Sequence, residues 1–209
     1  MSSQKKWKEQ RIFAALLAIV AWASLLLQFY LKTGSAVNFF SFFTVQCNML
    51  VAITATCAAF LNNTAIGKFF SSLSVQTAIA LYIFIVALVY NTVLRGLVAL
   101  TGWGLFVDTM LHVVIPILYL LYWGFMRTKG NLEYRNGAYW LLFPFVYLVY
   151  SMIRGAIVGW YPYPFLNADK NGYTKVSINI AVMIAVFLVA GLVLIAITRS
   201  LKKGTPGNS

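Results

Sequence analysis

The chain has 209 residues, of which 61% are hydrophobic and only 10% are charged, and its mean hydropathy is +0.82. A soluble domain is closer to a quarter charged, so this composition excludes that class. The net charge of +12 lies mainly at the termini and in short loops. Membrane topology explains charges placed there, so nucleic-acid binding is excluded as well. The apolar residues form long runs rather than alternating strands, which predicts an all-α polytopic membrane protein.

Six apolar runs are long enough to cross a hydrocarbon core of about 30 Å as helices. They are Ile12–Leu31, Phe39–Leu61, Leu73–Leu94, Leu105–Phe125, Ala138–Val158 and Val176–Thr198. The first run is too long for a signal-peptide core and lacks a clear cleavage site, so it is predicted to be a retained span. Because the loops are short and no repeat is evident, residues 1–209 are predicted to form one six-helix domain.

Six spans put both chain ends on one side of the membrane, and the basic residues indicate which side. Eleven of the 16 Lys and Arg residues lie on the side of the termini, and five lie on the other side. Basic residues are enriched on the cytoplasmic side of membrane proteins. Both termini, with short basic tails at about residues 1–11 and 199–209, are therefore predicted to be cytoplasmic.

Side chains that hold common cofactors are scarce in this sequence. Cys47 and Cys57 lie on one predicted helix, about 15 Å apart along its axis, which is too far for a disulfide, and we expect them in the core. A single histidine excludes paired axial haem ligands within the chain, and four acidic residues are too few for a di-metal centre. A Gly-rich phosphate loop and a GxSxG motif are absent from the sequence. No metal or cofactor is predicted.

The fourth run, FVDTMLHVVIPILYLLY, contains two ionisable residues one helical turn apart, Asp108 and His112. Such groups are costly inside a membrane, so they indicate a functional site. Asp108 could hold the imidazole in one tautomer or support its charged form. It could instead cap the outer end of the span, or form a satisfied pair within a bundle. Pro116 lacks the amide hydrogen that would bond the carbonyl of His112, which predicts a free carbonyl and a kink.

Two further polar pairs share this spacing: Thr44 with Asn48 on the second run, and Asn91 with Arg95 on the third. Residues four apart share a helix face, and a polar face is expected to point into the bundle. The predicted orientation puts all these pairs, together with Arg154 of the fifth run, in the outer half of the membrane. We therefore expect a common cavity there and few polar groups in the inner half.

Several of these residues have two interpretations that the sequence leaves open. Thr44 could bond its own helix or a neighbouring helix, or it could act as a nucleophile beside a general base. Arg95 and Arg154 could bind a carboxylate, or they could extend to the interface as snorkelling cations. The loop WYPYPFLNADKNGY between the last two runs could cover the cavity, or it could form an aromatic belt with a turn.

Three motifs together resemble a known family: FFTVQCN on the second run, LHVVIP on the fourth and YPYPFLN after the fifth. Their order along the six runs is similar to that in the six-helix family of androgen-induced protein 1 and androgen-dependent TFPI-regulating protein, and more closely to its bacterial members. The similarity extends over nearly the whole chain. A bacterial member would lie in the inner membrane. The animal members are threonine hydrolases that cleave fatty acid esters of hydroxy fatty acids.

The resemblance implies that Thr44 is the nucleophile and His112 the general base of an ester hydrolase whose partner is a lipid substrate. Asp108, whose role depends on its one-turn spacing alone and not on the resemblance, would orient His112. The family's loop motif often ends in Asp, whereas this chain has Asn167, with Asp169 two residues further on. An acidic role for the loop is therefore left open.

The remaining polar residues would serve the substrate of such an enzyme. Asn48 or Asn91 would donate a hydrogen bond to the oxyanion that forms during acyl transfer. Arg95 or Arg154 would hold the free carboxylate of the substrate.

Two functions from other classes also fit the sequence. Asp108 and His112 could form the relay of a small transporter or proton-coupled carrier, which requires polar residues that continue through the inner half of the membrane. Alternatively, the chain could be a structural membrane protein that contains a buried polar network.

Overall fold

The computed structural model describes residues 3–126 and 131–203, and every regular element in these ranges is helical, which confirms the all-α prediction. The α-helices in chain order are α1 (Ser3–Leu31), α2 (Ala36–Phe40), α3 (Phe43–Phe60), α4 (Ala65–Phe70), α5 (Leu73–Val89), α6 (Gly102–Thr109), α7 (Ile115–Met126), α8 (Tyr134–Trp140), α9 (Leu142–Val158) and α10 (Ala168–Lys203). Two π-helical turns, Tyr90–Leu94 and Met110–Val114, follow α5 and α6, and a 3₁₀ turn, Pro164–Leu166, precedes α10.

Six helical stretches of the described chain are long and apolar enough to cross a membrane. They are numbered here as spans 1 to 6: Trp7–Leu31, Phe43–Phe60, Leu73–Leu94, Gly102–Phe125, Tyr134–Val158 and Ala168–Ser200. Each overlaps one of the six predicted runs, so the multi-pass architecture is confirmed. The orientation of the termini stays a prediction, and two of the basic residues on which it depends, Arg127 and Lys129, lie outside the described residues.

Glycines determine where two of the spans end. Gly96 lies two residues after Leu94, the last residue of span 3, and has a φ of 86°. Gly159 ends span 5 with a φ of 65°. The N–H of Gly159 donates to the carbonyl of Gly155 at 2.9 Å. Glycine adopts positive φ without the steric penalty of a side chain, so it lets the chain leave a helix abruptly.

The described helices belong to two compact units. One comprises Met1–Phe40 and Thr44–Lys129, and the other comprises Ser41–Phe43 and Gly130–Ser209, within the described ranges. Spans 1 to 4 thus form the first unit, apart from the start of α3, and spans 5 and 6 form the second. The prediction of one domain over residues 1–209 stays a prediction.

In the first unit, α7 packs against both α1 and α5. Polar contacts add to this packing, because Arg11 Nε donates to the Ala59 carbonyl at 3.0 Å and Trp22 Nε1 donates to Thr56 Oγ1 at 3.1 Å. Both contacts join span 1 to span 2. Hydrogen bonds between membrane helices add modest stability, about 0.6–2 kcal/mol each, to the packing of the apolar faces.

In the second unit, α10 packs against α8 and against the 3₁₀ turn that precedes it. Phe43, from the short segment that joins this unit, stacks on Phe143 and contacts the rings of Tyr147 and Phe187. Aromatic pairs of this kind stabilise by about 0.5–1.5 kcal/mol beyond the area that they bury. The segment is thereby anchored between spans 5 and 6.

Candidate functional site

Asp108 and His112 form the centre of the site, as their spacing predicted. His112 Nδ1 lies 3.1 Å from Asp108 Oδ1 and 2.9 Å from the main-chain oxygen of Asp108, and both side chains are 14% exposed. Tyr90, at the end of span 3, joins this pair. Its hydroxyl donates to Asp108 Oδ2, and its ring stacks on the His112 ring with 3.7 Å between centroids and 14° between planes.

This arrangement fixes both the tautomer and the orientation of His112. Nδ1 faces two oxygen acceptors from Asp108, so Nδ1 is the nitrogen that carries the hydrogen in the neutral ring. Nε2 is then left with its lone pair and can act as a base. Since Tyr90 covers one ring face and also bonds the carboxylate, rotation of the imidazole would break contacts on two sides. Both expected roles of Asp108 are compatible with this contact, since a carboxylate at Nδ1 can orient the neutral ring and can also support its charged form.

A π-helical turn at Met110–Val114 sets the backbone around His112. The N–H of Ile115 donates to the carbonyl of Met110, five residues back, rather than to that of Leu111. The next possible donor to Leu111 would be the nitrogen of Pro116, which has no hydrogen. His112 loses its α-helical donor to the same proline. The freed carbonyl predicted for His112 is therefore accompanied by a second one, on Leu111.

Two asparagines from other spans donate to these freed carbonyls. Asn48 Nδ2 donates to Leu111 at 3.2 Å and to the carbonyl of Thr44 on its own helix at 2.9 Å. Asn91 Nδ2 donates to His112 at 3.3 Å and to its own helix at 2.8 Å. Each amide thus bonds one carbonyl of its own helix and one of span 4, which locks spans 2, 3 and 4 together at the π turn.

These contacts bring together the three polar faces that the four-residue spacing defined. The face of span 3 differs from expectation, since Asn91 and Arg95 are exposed rather than buried in the bundle. Within each face the two residues also bond one another: Asn48 with Thr44, Arg95 Nη1 with Asn91 Oδ1 at 3.1 Å, and His112 with Asp108. The asparagines differ from expectation in one respect. Because both directions of each Nδ2 group are directed at backbone carbonyls, neither amide is placed to donate to an oxyanion.

Asn48 retains one open atom. Its side chain is fully buried, and Oδ1 has no hydrogen-bond partner. The orientation of the amide is unambiguous, since a flip would put Oδ1 against two carbonyl oxygens. The open atom is therefore an acceptor, which a water molecule or a hydroxyl could satisfy.

A cavity of about 270 Å³ lies beside the Asp108 end of the site. Its wall contains Tyr90, Arg95, Asp108 and Thr109 together with apolar residues that include Leu105. His112 and Thr44 are not among its lining residues. The cavity therefore combines a cation and a carboxylate with an apolar wall, which suits a lipid that carries a polar group.

Thr44 is buried, with 8% of its surface exposed, in the first turn of α3. Its carbonyl is linked through Asn48 to Leu111, the neighbour of His112. The side-chain amide of Asn48 therefore connects the backbone of Thr44, the expected nucleophile, with the backbone next to His112, the expected base. A direct contact between Thr44 Oγ1 and His112 Nε2 stays a prediction.

Arg154 lies near the end of span 5 in the second unit, and its guanidinium carbon is 4.6 Å from the centroid of Trp160. Its expected role with the substrate carboxylate stays a prediction. The YPYPFLN loop belongs to the same unit, where it is packed rather than open. Tyr161 and Leu166 of the loop are buried against Val176 of α10.

Asn167 begins α10 as a helix cap. Its Oδ1 accepts the N–H of Lys170 at 3.0 Å, which is the bond that an N-cap side chain makes. An aspartate at this position would make the same bond. The cap explains the position without an acidic function.

Further buried polar groups lie towards the other end of spans 3 and 4 from Asp108 and His112, and the assignment of that end to the inner half of the membrane stays a prediction. Tyr119 donates to the Gln76 carbonyl at 3.3 Å, and Trp123 Nε1 donates to Thr77 Oγ1 at 3.0 Å, all within the first unit and all buried. The sequence does not indicate these hydrogen bonds, because Tyr and Trp side chains are amphipathic and are counted as apolar residues in a hydrophobic run.

Tyr90 is the main site residue that the sequence did not identify. Its contacts connect two different spans, and no spacing within span 3 distinguishes it. The signal available was its position next to Asn91, which was itself identified.

The described residues contain no group of three or more His, Cys, Asp or Glu side chains that could hold a metal. Comparison of the chain with protein-family models, with curated proteins and with solved structures finds no match.

Proposed function

We propose that the chain is an intramembrane hydrolase of lipid esters, related to the family of androgen-induced protein 1, with Thr44 as nucleophile and His112 as general base. The observation that carries this proposal is the orientation of His112. Asp108 and Tyr90 hold the ring by one nitrogen and one face, and Nε2 is left as a base. A fixed imidazole beside a carboxylate is the usual device for activating a hydroxyl.

The reaction proceeds through two acyl transfers. Nε2 of His112 takes the proton of the Thr44 hydroxyl as its oxygen attacks the ester carbonyl, and the resulting imidazolium protonates the departing alkoxide. A fatty acyl group is then bound to Thr44 as an ester. Water activated by His112 attacks this ester, releases the fatty acid and regenerates the threonine. The charge of Asp108 stabilises the imidazolium in both steps.

The cavity beside Asp108 supports a substrate that carries its own acidic group. Arg95 lines it and bonds Asn91 through one nitrogen, so its other guanidinium N–H groups can meet a carboxylate. A fatty acid ester of a hydroxy fatty acid has such a carboxylate and two long apolar chains. The apolar wall of the cavity accommodates part of a chain.

The test measures hydrolysis of such an ester by the purified full chain in detergent. Thr44→Ala and His112→Ala should each reduce turnover by at least about 10³-fold, because both residues act in the same step. Thr44→Ser should retain part of the activity, since it keeps a hydroxyl. Thr56→Ala is the matched control, a threonine of the same helix that bonds its own backbone and Trp22. Full activity in Thr44→Ala or in His112→Ala would refute the proposal.

A second candidate is a proton-coupled carrier, and the buried polar groups of the inner half favour it. Gln76, Thr77 and Tyr119 extend the polar residues of the first unit beyond His112. A carrier would require Asp108 and His112 for proton flux but not the hydroxyl of Thr44. Mass spectrometry after treatment with a hydrolase-directed activity probe separates the two, since only the hydrolase forms an adduct on Thr44.

The proposed setting is the inner membrane of a bacterium, with both termini cytoplasmic and the site in the outer half. Reporter fusions at residue 209 and in the loop between spans 5 and 6 would measure the orientation. A periplasmic signal from the C-terminal fusion would contradict it.

A further inference from the structure

Two buried hydroxyl groups near the outer end of span 5 have no hydrogen-bond partner. Ser151 is 1% exposed and Tyr161 is 8% exposed, and neither hydroxyl is bonded in the described structure. A buried polar group without a partner costs about 1–3 kcal/mol, so native proteins rarely retain one without a reason. Two of them in one short segment indicate a place that another molecule completes.

The backbone brings these hydroxyls to one side of α9. The chain turns at Gly159, and the Tyr161 ring then lies over Gly155 so closely that a Cβ there would be 2.1–2.5 Å from Cε1, Cδ1 and Cζ. Cζ carries the hydroxyl. Ser151 is four residues before Gly155 on the same helix face, where Cβ positions are about 5–6 Å apart. The two hydroxyl-bearing side chains therefore lie over the same face of α9.

A cation lies in the same turn. Arg154 precedes Gly155, and its guanidinium stacks over the ring of Trp160 at 4.6 Å. Trp160 is itself packed edge-on against Phe42, with 5.5 Å between centroids. Such stacking restricts the orientation of the guanidinium, which carries five N–H donors and a positive charge.

The Tyr161 hydroxyl remains a donor at any physiological pH. Burial, with the neighbouring Asp169 and Tyr173, raises the pKa of Tyr161 above its ordinary value of about 10. The protonated phenol can therefore donate to an oxygen atom. Together with the Ser151 hydroxyl and Arg154, it forms a set of hydrogen-bond donors that carries a positive charge. Helix α9 itself contains no carboxylate.

The loop around Tyr161 is preformed. Tyr161, Leu166, Ala168 and Val176 form a buried apolar cluster, and Asn179 Nδ2 donates to the Phe165 carbonyl at 2.9 Å. A site made of packed residues loses little conformational entropy when a ligand binds, so it can bind tightly with few contacts.

We propose that Ser151, Arg154 and Tyr161 form a binding site for an anionic oxygen group, a carboxylate or a phosphate. Two hydroxyl donors and a stacked guanidinium match the acceptors and the charge of such a group. The site belongs wholly to the second unit and does not depend on ester hydrolysis. Its place near the end of a span, beside an aromatic loop, suits the head of a lipid or a free anion at the membrane surface.

The test measures thermal unfolding of the purified full chain in a nonionic detergent during titration with four compounds. Oleate supplies a carboxylate on a lipid, phosphatidylglycerol supplies a phosphate on a lipid, inorganic phosphate is a free anion, and oleyl alcohol is an uncharged control. We expect at least one anion to raise the unfolding temperature of the wild type, and oleyl alcohol to leave it unchanged. Which anion acts identifies the source of the ligand.

The matched variants are Ser151→Ala/Tyr161→Phe and Arg154→Gln. Each should raise the half-saturating anion concentration about tenfold, the effect of losing hydrogen bonds to a charged group. Tyr147→Phe is the control, since it removes a hydroxyl of the same helix that already bonds Ser41 at 3.0 Å. His112→Ala should bind the anion as the wild type does, so failure of the hydrolase proposal would not affect this result.

A different outcome is expected if the two hydroxyls bind no anion. The double variant should then gain stability without any change in anion binding, because it removes two unpaired buried oxygens. That outcome, or the absence of a shift with all three anions, would overturn the proposal. Folding of the double variant is expected in either case, since the substitutions remove only two oxygen atoms.

Discussion

The candidate site of the first unit and the proposed anion site of the second differ in how their polar groups are bonded. In the first, the π turn of span 4 frees the carbonyls of Leu111 and His112, and Asn48 and Asn91 donate to both. In the second, the hydroxyls of Ser151 and Tyr161 are buried without partners. Both units carry polar residues on helices long enough to cross a membrane. Only at the site of the first unit do nearly all of these residues have hydrogen-bond partners.

The difference indicates two kinds of site. Polar groups that bond one another are held in one geometry before any ligand binds, which suits a general base that must be oriented towards its substrate. Groups without partners retain their full capacity to bond an incoming molecule, which suits recognition. The proposed catalysis in the first unit and the proposed anion binding in the second correspond to these two kinds of site, and the variants below test that contrast.

After the two variants of the proposed nucleophile and base, Asp108→Asn should have the largest effect, on the order of 10²-fold lower ester turnover. The amide cannot stabilise the imidazolium, although the main-chain oxygen of residue 108 still accepts the Nδ1 hydrogen. The measurement is kcat with the hydroxy fatty acid ester. An unchanged kcat would assign Asp108 to structure alone, and anion binding by the second unit should stay as in the wild type.

Tyr90→Phe should lower kcat about tenfold, because it removes the bond to Asp108 but keeps the ring stacked on His112. Tyr90→Leu should lower it further, since both contacts are lost. The pH profile of kcat distinguishes positioning from packing. If Tyr90 positions the base, the profile of Tyr90→Phe shifts, whereas a purely structural role would lower stability with the profile unchanged.

Asn48→Ala should lower the free energy of unfolding by about 1–3 kcal/mol, since the carbonyl of Leu111 would lose its donor. Pro116→Ala restores an N–H that could bond Leu111 in the π register or His112 in the α register. The double variant Asn48→Ala/Pro116→Ala should therefore recover part of the loss. Denaturant unfolding of the four chains gives the coupling directly, and strict additivity would show that proline does not free these carbonyls.

The smallest effect is expected at Asn167. Asn167→Ala should cost about 1 kcal/mol of stability by removing the cap of α10, whereas Asn167→Asp should be nearly neutral because aspartate caps equally well. Ester turnover should be unchanged in both variants. A large loss of turnover in Asn167→Asp would instead connect the loop to catalysis.

Much of the site follows from local spacing. The pairs Thr44–Asn48, Asn91–Arg95 and Asp108–His112 could be found in the sequence because a helix places residues four apart on one face. The effect of Pro116 could be found as well, since a missing N–H is a property of the residue. Tyr90 could not be found, because its contact with His112 depends on how span 3 packs on span 4. The buried hydrogen bonds of Tyr119 and Trp123 could not be found for a similar reason, since both depend on how span 4 packs on span 3.

The sequence by itself determined that the chain is helical, that it crosses the membrane six times and that Asp108 and His112 share a face. These features follow from the lengths of apolar runs and from the period of the helix, both of which are local. Only the tertiary structure decided the π register at Met110–Val114, the asparagines that complete it and the division into two units. Such features depend on which helix faces meet, and packing between residues distant in sequence decides that.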